Sequence, residues 1–470
     1  MGDDAYIHVG FIKGLISTGK FSYAGEITYG STSPLWVIFG FIFSKVFLYP
    51  EVSIRILCAL FTFFTIYIFY ITLLDENINE KIFYASLLSI TFNPFFLKWA
   101  ISGMETTAAM TALLVVYNLN KKELSGLTWL FMGIIFGLSI LLRPEFAAFF
   151  VLFLLYDYFA LPAARKRLFH TAAVCLLIVF AWLYYAYQQF GTMIPNTYAA
   201  KAGNGLITLD RNALVRDTKV LIAGNVPEIF LLCILILYVT SSLVKNKNFK
   251  FVLKEYFNFI KSNKILLILL WTFGFYIFYI LKDVTIISRY SLILVPPIIL
   301  FSAVTFNFFS QNFTAKTMKI VLVLYLTSIV LSYGYLTFNV VKPSNNNFVQ
   351  GFQKTYKHIA SIIRNESKGN NMSVAVSDVG IIGCYSGARI DDLGGLVDRT
   401  RFDFNSDKEY ISYKKPDFII LRGEANINNI LPSDARYKTI YQKYVPGFSI
   451  NDPATRLISL YKIIYYNGKN

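Results

Sequence analysis

Apolar segments of membrane-spanning length alternate with short polar segments along most of the chain. A helix needs about 20 predominantly apolar residues to cross the hydrocarbon core of a bilayer. Ten segments approach that length, at 53–74, 82–98, 105–118, 125–142, 146–160, 171–188, 225–244, 264–282, 290–309 and 319–338. The pattern predicts a polytopic α-helical membrane protein with about ten transmembrane helices over residues 53–340.

The pattern changes after about residue 345, where apolar positions become fewer. Four apolar residues recur there at helical spacing, and three short apolar runs have the length of buried strands. These positions are Phe352, Tyr356, Ile359 and Ile363 for the helix, and 374–376, 417–421 and 457–461 for the strands. We therefore expect a soluble α/β domain over residues 341–470.

Basic residues lie in alternate loops between the apolar segments. They occur at Lys121 and Lys122, at 165–167, between Lys245 and Lys264, and at Lys316 and Lys319. Cytoplasmic loops carry an excess of Lys and Arg. These loops are therefore predicted to be cytoplasmic, and the remaining loops and the C-terminal domain are predicted to be exoplasmic.

The segment 34–49 decides on which side the N-terminal residues lie. It is shorter than about 17 residues and contains Lys45, so we predict an amphipathic helix in the membrane interface rather than a span. With that assignment, residues 1–52 are an exoplasmic loop region that includes this interfacial helix. The loop region carries the adjacent carboxylates Asp3 and Asp4.

Composition supports the membrane assignment and excludes other classes. The chain is 55% hydrophobic and only 15% charged, with a mean hydropathy of +0.51, which is too apolar for a soluble protein of 470 residues. The net charge of +16 comes from the loops between spans, and no stacking platform accompanies it, so no nucleic-acid partner is predicted. His8, His170 and His358 are scattered, and the four cysteines form no pattern, so neither a histidine metal site nor a zinc site is predicted.

Acidic residues on the predicted outer side are candidates for chemistry. A carboxylate near the membrane surface can act as a general base, and Asp3 and Asp4 suit that role. They also suit a plain N-cap of a helix that begins near Ala5. Glu105 and Glu145 stand at predicted outer ends of spans, where they are either site residues or solvated helix ends.

Three basic residues on the same side suggest a phosphate site. Lys201, Arg289 and Arg143 are all predicted at the membrane depth where the phosphate of a lipid carrier would lie. Arginine binds phosphate with two parallel hydrogen bonds. For each residue alone, a side chain that reaches the interface is the better explanation, and the three together on one side make the phosphate interpretation competitive with it.

Five motifs occur in the order found in membrane glycosyltransferases of the GT-C superfamily, which the chain resembles over nearly its whole length. They are Asp3-Asp4-Ala5-Tyr6, residues 30–36, residues 102–106, residues 142–145, and residues 190–201 with Pro195-Asn196-Thr197 and Lys201. Within the superfamily the chain resembles the bacterial branch that includes the terminal arabinofuranosyltransferases. Members of that branch also end in an exoplasmic α/β domain with a turn like Asp378-Val379-Gly380.

The resemblance implies an inverting transfer of a single sugar from a polyprenyl-phosphate donor to a glycan, lipid or protein acceptor. It implies a location in the bacterial inner membrane, with the active site on the exoplasmic or periplasmic side. It also implies a transmembrane helix before the acidic pair, so we expect the natural chain to begin further upstream. No cofactor is certain, and a divalent cation is possible.

Residue roles follow from the same resemblance. Asp3 would be the general base, and Asp4 and Glu105 would share the catalytic site. The donor phosphate would contact Lys201, Arg289 and Arg143, while Tyr6, Glu145 and Asn196 would be supporting residues. Two alternatives stay open at this point, a non-enzymatic transporter of lipid-linked sugar or polysaccharide, and an oligosaccharide ligase.

Overall fold

The structure is a computed structural model that describes all residues except 122–126, 161, 163–164, 203–210, 246–248, 263, 282–287, 368–370, 424, 449–453 and 467–470. The first half of the chain is helical apart from one short hairpin. Its elements are α1 (Asp3–Thr18), β1 (Ser22–Tyr23), β2 (Glu26–Ile27), α2 (Pro34–Phe47), α3 (Pro50–Asp75), α4 (Glu80–Phe92), α5 (Pro94–Trp99), α6 (Thr106–Lys121), α7 (Thr128–Leu142), α8 (Phe146–Ala160) and α9 (Arg165–Phe190).

The second half continues as helices up to the C-terminal domain. Its elements are α10 (Asn196–Ala202), α11 (Arg211–Gly224), α12 (Val226–Lys245), α13 (Phe249–Ser262), α14 (Ile265–Leu281), α15 (Ser288–Ser291), α16 (Val295–Ser310), α17 (Ala315–Leu336), α18 (Lys342–Asn347) and α19 (Lys354–Ser367). The C-terminal domain then adds β3 (Ser373–Val376), α20 (Val379–Tyr385), β4 (Arg389–Asp392), α21 (Asp407–Lys414), β5 (Phe418–Arg422), α22 (Ile427–Ile430), β6 (Ala435–Val445) and β7 (Arg456–Tyr465).

The predicted class of the fold, a polytopic helical membrane protein with a C-terminal α/β domain, is confirmed. In the described part of the chain, five helical segments have the length and composition to cross a membrane: Pro50–Asp75, Arg165–Phe190, Val226–Val244, Ser288–Ser310 and Ala315–Ser367. The pair Phe249–Lys261 and Ile265–Leu281 makes a sixth if its 78° bend is one broken span. Shorter apolar helices, among them α2, α7 and α8, pack between them.

One predicted span is broken in the structure. The segment 82–98 is divided into α4 and α5 at Asn93, because the following Pro94 cannot continue the hydrogen bonding of α4. The Asn93 side chain accepts hydrogen bonds from the backbone N–H groups of Phe95 and Phe96, at 3.1 Å each, and so caps α5. Helix α5 then leads into residues 100–105, which precede α6.

Helix α2 is the segment for which an interfacial position is predicted. Its 14 residues span about 21 Å, which is shorter than the roughly 30 Å hydrocarbon core. Its inner side packs through Trp36, and the indole Nε1 donates to the carbonyl of Gly103 at 3.0 Å. The length agrees with an interfacial helix, and that placement stays a prediction.

Residues Asp3–Thr18, predicted as part of a loop region, form helix α1. It begins at Asp3 after Gly2, which makes no side-chain cap, and ends at Gly19 with a φ of 70°. Asp3 and Asp4 lie in its first turn, so the prediction that one of them caps a helix beginning near Ala5 is wrong. Carboxylates in a first turn still interact favourably with the helix dipole.

Two different faces of α1 contact two different parts of the molecule. Asp3, Tyr6 and Lys13 follow one another at spacings of three and seven residues and face the C-terminal domain. The Tyr6 carbonyl accepts from Cys384 Sγ at 3.0 Å, and Lys13 Nζ donates to the Cys384 carbonyl at 3.1 Å. Asp4 and His8, four residues apart, face the ends of the apolar helices. Helix α1 therefore joins the two parts.

The C-terminal domain contains a five-stranded mixed sheet in the order β4-β3-β5-β7-β6. Strand β3 is parallel to β4 and β5, whereas β7 is antiparallel to β5 and β6. The runs predicted at 374–376, 417–421 and 457–461 correspond to β3, β5 and β7. Strand β6 was not predicted because most of its residues are exposed and polar.

A single helical segment, Ala315–Ser367, connects the last span with the C-terminal domain. It includes α17, α18 and α19, and two π-helical stretches, Thr337–Val341 and Phe348–Gln353, join these helices without interruption. A stretch of π-helix inserts an extra residue into the helical turn. The predicted boundary near residue 341 falls inside this helix.

Candidate active site

A buried ion-pair cluster lies where α1 meets the residues that precede α6 and follow α7. Arg143 Nη1 is 3.4 Å from Glu105 Oε1, and His8 Nε2 is 3.5 Å from Glu105 Oε2. The side chains of all three residues are less than 10% exposed. Burying charges without partners is costly, so these residues hold one another in place.

Arg143 also pairs with the glutamate that follows it in the turn. Its Nη2 is 2.8 Å from Glu145 Oε1, and Tyr279 donates its hydroxyl to the same oxygen at 2.6 Å. Tyr279 lies in the last turn of α14. Glu145 therefore holds Arg143 in one orientation, and its supporting role in the site stays a prediction.

Tyr290 contacts both of the arginines that were predicted to contact phosphate. The guanidinium carbon of Arg143 is 5.3 Å from the centre of the Tyr290 ring, and that of Arg289 is 4.9 Å away. Arg289 Nη2 also donates to the Tyr290 hydroxyl at 2.9 Å. An aromatic ring that contacts two guanidinium groups attracts both of them and so partly offsets the repulsion of their like charges.

Arg289 connects this cluster with the acidic pair. Its Nη1 is 2.8 Å from Asp4 Oδ2, in a geometry suited to a charge-assisted hydrogen bond. The Arg289 side chain is 6% exposed, while that of Asp4 is 49% exposed. Asp4 thus faces open space beside a buried cation. Among the described residues, the buried Arg289 Nε has no hydrogen-bond partner.

Asp3 points the other way, into the C-terminal domain. Its Oδ2 accepts from the backbone N–H of Gly380 at 3.0 Å, and its Oδ1 accepts from that of Ile381 at 2.9 Å. Asp3 therefore caps the start of α20, a helix far away in sequence. Burial and the nearby charge of Asp378 raise the pKa of Asp3 to about 7, although the bonds from Ile381 and Gly380 oppose the shift.

The turn after β3 brings a further carboxylate next to this contact. Asp378 Oδ2 accepts from the Tyr356 hydroxyl at 2.9 Å and lies 3.1 Å from Arg422 Nη1. Burial raises the pKa of Asp378, and the Arg422 charge and the Tyr356 bond oppose the shift. Asp378 and Gly380 belong to the turn whose resemblance to the GT-C branch was noted in the sequence.

Of the remaining predicted residues, Tyr6 and Asn196 make structural contacts. Tyr6 is buried, and its hydroxyl accepts from Gln353 Nε2 at 2.7 Å. Asn196 is buried, and it joins its loop to residues 28–29: its N–H donates to the Tyr29 carbonyl at 2.8 Å and its Nδ2 to Thr28 Oγ1 at 3.1 Å. Lys201 belongs to α10, but its side chain lies outside the described residues.

Sequence reasoning did not find every residue of the cluster. His8 was considered only as one of three scattered histidines, yet it lies four residues after Asp4, on the face of α1 that carries Asp4. Tyr290 and Tyr279 gave no signal, because aromatic residues are frequent throughout the chain. Within the described residues, no group of three His, Cys, Asp or Glu side chains is arranged to hold a metal ion.

Proteins of known structure share the fold of this chain. Residues 346–461 match a family model described as a domain of unknown function (DUF8728). No curated protein matches the sequence. The structure is similar to that of ArnT from Cupriavidus metallidurans bound to undecaprenyl phosphate, with a TM-score of 0.59 and 11% identity over 98% of this chain and 93% of that chain. The chain has the GT-C membrane fold.

Two further structures agree with this result. ArnT from the same organism in the apo state has a TM-score of 0.60 and 10% identity, over 97% of this chain and 93% of that one. The Archaeoglobus fulgidus oligosaccharyltransferase, in a complex with Zn and sulfate, has a TM-score of 0.52 and 14% identity, over 89% of this chain and 64% of that chain. At 10–14% identity these likenesses show the fold alone, and they do not single out the arabinofuranosyltransferase branch.

Proposed function

We propose that the protein is an inverting glycosyltransferase that moves a single sugar from a polyprenyl-phosphate donor to a hydroxyl group of a cell-envelope glycan, lipid or protein. The buried pair of arginines around Tyr290, next to the acidic pair of α1, is the observation that carries the proposal. ArnT, which shares the fold, has been crystallised with undecaprenyl phosphate. We place the protein in the bacterial inner membrane with the cluster on its exoplasmic side.

Arg289 is the residue best suited to the donor phosphate. Its guanidinium is buried and held in place by Asp4, so the cation that would bind the phosphate is positioned before the donor arrives. Its Nε atom has no hydrogen-bond partner among the described residues and can donate to a phosphate oxygen. Arg143 also lies next to the Tyr290 ring, 5.3 Å from its centre, and adds positive charge, and Lys201 remains a predicted third contact.

The acidic pair supplies the base in this proposal. The resemblance favours Asp3, whose pKa of about 7 suits a group that must accept a proton near neutral pH. The contacts favour Asp4, because both oxygens of Asp3 already accept backbone hydrogen bonds and the Asp4 side chain is 49% exposed. We therefore assign proton removal to Asp4 and the fixing of α1 to Asp3.

The chemistry then follows from charge and position. The carboxylate takes the proton of the acceptor hydroxyl while the hydroxyl oxygen attacks the anomeric carbon from the face opposite the phosphate. The bond between that carbon and the phosphate oxygen breaks, and polyprenyl phosphate leaves with the electron pair. The leaving phosphate needs neutralisation of its charge more than a proton, which Arg289 and Arg143 can supply.

A transfer assay tests the proposal. The purified protein would be mixed with undecaprenyl phosphate carrying radiolabelled arabinofuranose, aminoarabinose, mannose, galactose or glucose, and with the envelope fraction of the source organism. We expect label from one donor in the envelope fraction, and loss of at least 99% of it in Asp4→Asn. Asp403→Asn, an exposed aspartate of the C-terminal domain, is the matched control.

The assay also separates the two carboxylates. Asp3→Asn should keep measurable transfer if its role is the contact with α20, and should abolish it if Asp3 is the base. Full activity in both variants would rule out the acidic pair as the source of the base. Absence of transfer from every lipid-linked sugar would refute the proposed enzyme class.

The likeness to an oligosaccharyltransferase favours one alternative, the transfer of a whole oligosaccharide. The two reactions differ in the mass that the acceptor gains. A gain of a single sugar mass, measured by mass spectrometry of the isolated acceptor, supports the first proposal. A gain of several sugar units from a lipid-linked oligosaccharide would support the ligase.

A further inference from the structure

The C-terminal domain has a polar group at the carboxyl ends of its parallel strands. Strand β3 leads into Asp378, and β5 ends at Arg422. The two side chains meet, with Arg422 Nη1 at 3.1 Å and 3.2 Å from the two oxygens of Asp378. In open sheets of this kind, ligands bind in the crevice outside the carboxyl ends of the parallel strands.

Packing fixes this pair in one orientation. The guanidinium of Arg422 lies 5.7 Å from the centre of the Phe352 ring, which is buried in the helix that enters the domain. The Tyr356 hydroxyl, one turn further along the same helix, donates to Asp378 at 2.9 Å. The aromatic pair Phe352 and Tyr356 is itself stacked, with ring centres 4.2 Å apart. The site is thus built from three elements.

The pair is nevertheless accessible to a ligand. The side chain of Arg422 is 37% exposed and that of Asp378 is 23% exposed. In the described part of the chain, the hydrogen bonds of Arg422 use Nη1 alone, which leaves the Nε and Nη2 donors for another molecule. An exposed Arg–Asp pair offers donors and an acceptor side by side and is close to neutral overall.

This polar pair lies beside the acidic pair of α1. Gly380, two residues after Asp378, touches Asp3 so closely that a Cβ built on it would be 2.1 Å from the Asp3 carbonyl oxygen. Asp4 is the next residue of α1 and holds Arg289. The contacts therefore run without a gap from the proposed phosphate site, through α1, to Asp378 and Arg422.

We propose that Arg422 and Asp378 form a binding subsite for the acceptor, and that the ligand is a neutral sugar whose hydroxyl groups accept from Arg422 and donate to Asp378. A sugar diol supplies both donors and acceptors, whereas a phosphate or carboxylate would meet the repulsion of Asp378. Tyr356 is a positioning residue that holds Asp378. The inference rests on the proposed function and gives a role to the domain of unknown function.

Direct binding tests the subsite without any transfer reaction. Saturation-transfer NMR on the full-length protein in detergent would use four neutral probes: the methyl glycosides of mannose, galactose, glucose and rhamnose. We expect saturation of at least one probe by the wild type, and a decrease of at least fivefold in Arg422→Gln. The control is Arg436→Gln, because Arg436 is an exposed arginine of strand β6 in the same domain.

Each outcome decides the proposal. Equal signals in wild type and Arg422→Gln, or no signal from any of the four glycosides, would overturn it. Preferential binding of methyl glucuronide would overturn the neutral class of ligand. Tyr356→Phe should weaken the signal with an unchanged melting temperature, since a purely structural role would lower stability instead. Binding that persists in a protein without transfer activity would refute the enzyme proposal and leave the subsite in place.

Discussion

The contact between Gly380 and Asp3 gives a quantitative prediction for Gly380→Ala. The added Cβ would lie 2.1 Å from the Asp3 carbonyl oxygen and 2.8 Å from its carboxylate. Ordinary contacts begin at 3.4 Å, so α1 and α20 would have to separate by about 1 Å. Overpacking of this kind costs about 1–3 kcal/mol, and loss of the two bonds to the Asp3 carboxylate adds a similar amount.

We therefore expect Gly380→Ala to lower the free energy of unfolding by about 2–5 kcal/mol and the melting temperature by about 4–10 °C. Thermal unfolding of the purified protein in detergent measures the effect. Gly274→Ala is the control, because that glycine lies in α14 with nothing within 4 Å of an added Cβ. A melting temperature within 1 °C of that of the control would refute the reasoning that α1 and α20 are in direct backbone contact.

Three further predictions concern charged residues of the cluster. Arg289→Gln should reduce transfer by about 100-fold or more while Arg289→Lys keeps part of it, as measured by initial rates at varied donor concentration, because the leaving phosphate loses its cation. Glu105→Gln should lower the free energy of unfolding by about 3 kcal/mol in denaturant titrations, since buried Arg143 loses one of its carboxylates. Because the pKa of Asp3 is raised in the folded state, protonation of this carboxyl stabilises the fold. This contribution to the free energy of unfolding is fully present below about pH 4 and is lost as the pH rises through about 7. Melting temperatures between pH 5 and 8 should therefore fall less steeply in Asp3→Asn than in the wild type.

The sequence predicted the class of the fold because hydrophobic length is a strong signal. The C-terminal strands at 374–376, 417–421 and 457–461 were also predictable, since buried strands are apolar along their whole length. Helix α1 was not recognised as a long helix, because its residues combine an acidic start with glycines. The break at Asn93 was missed for a related reason: the single Pro94 stands inside an otherwise apolar run.

The candidate site could be predicted only in part. Arg143, Glu105 and Arg289 were chosen for charge and position, and they do come together in the structure. Their partners His8 and Tyr290 depend on tertiary contacts that no local pattern encodes. The contact of Asp3 with α20 joins residues 377 positions apart, which only the folded chain brings together.

The continuous helix from Ala315 to Ser367 sets the rotation of the C-terminal domain about the helix axis. Each residue of an α-helix turns the chain by about 100°, so deletion of one residue from the α-helical segment α18 would rotate everything beyond it by about that angle. Arg422 would then turn away from α1, although each part kept its own fold. The orientation of the domain thus depends on the number of α-helical residues between the last span and the sheet, whereas each π-helical stretch accommodates an extra residue within the helix.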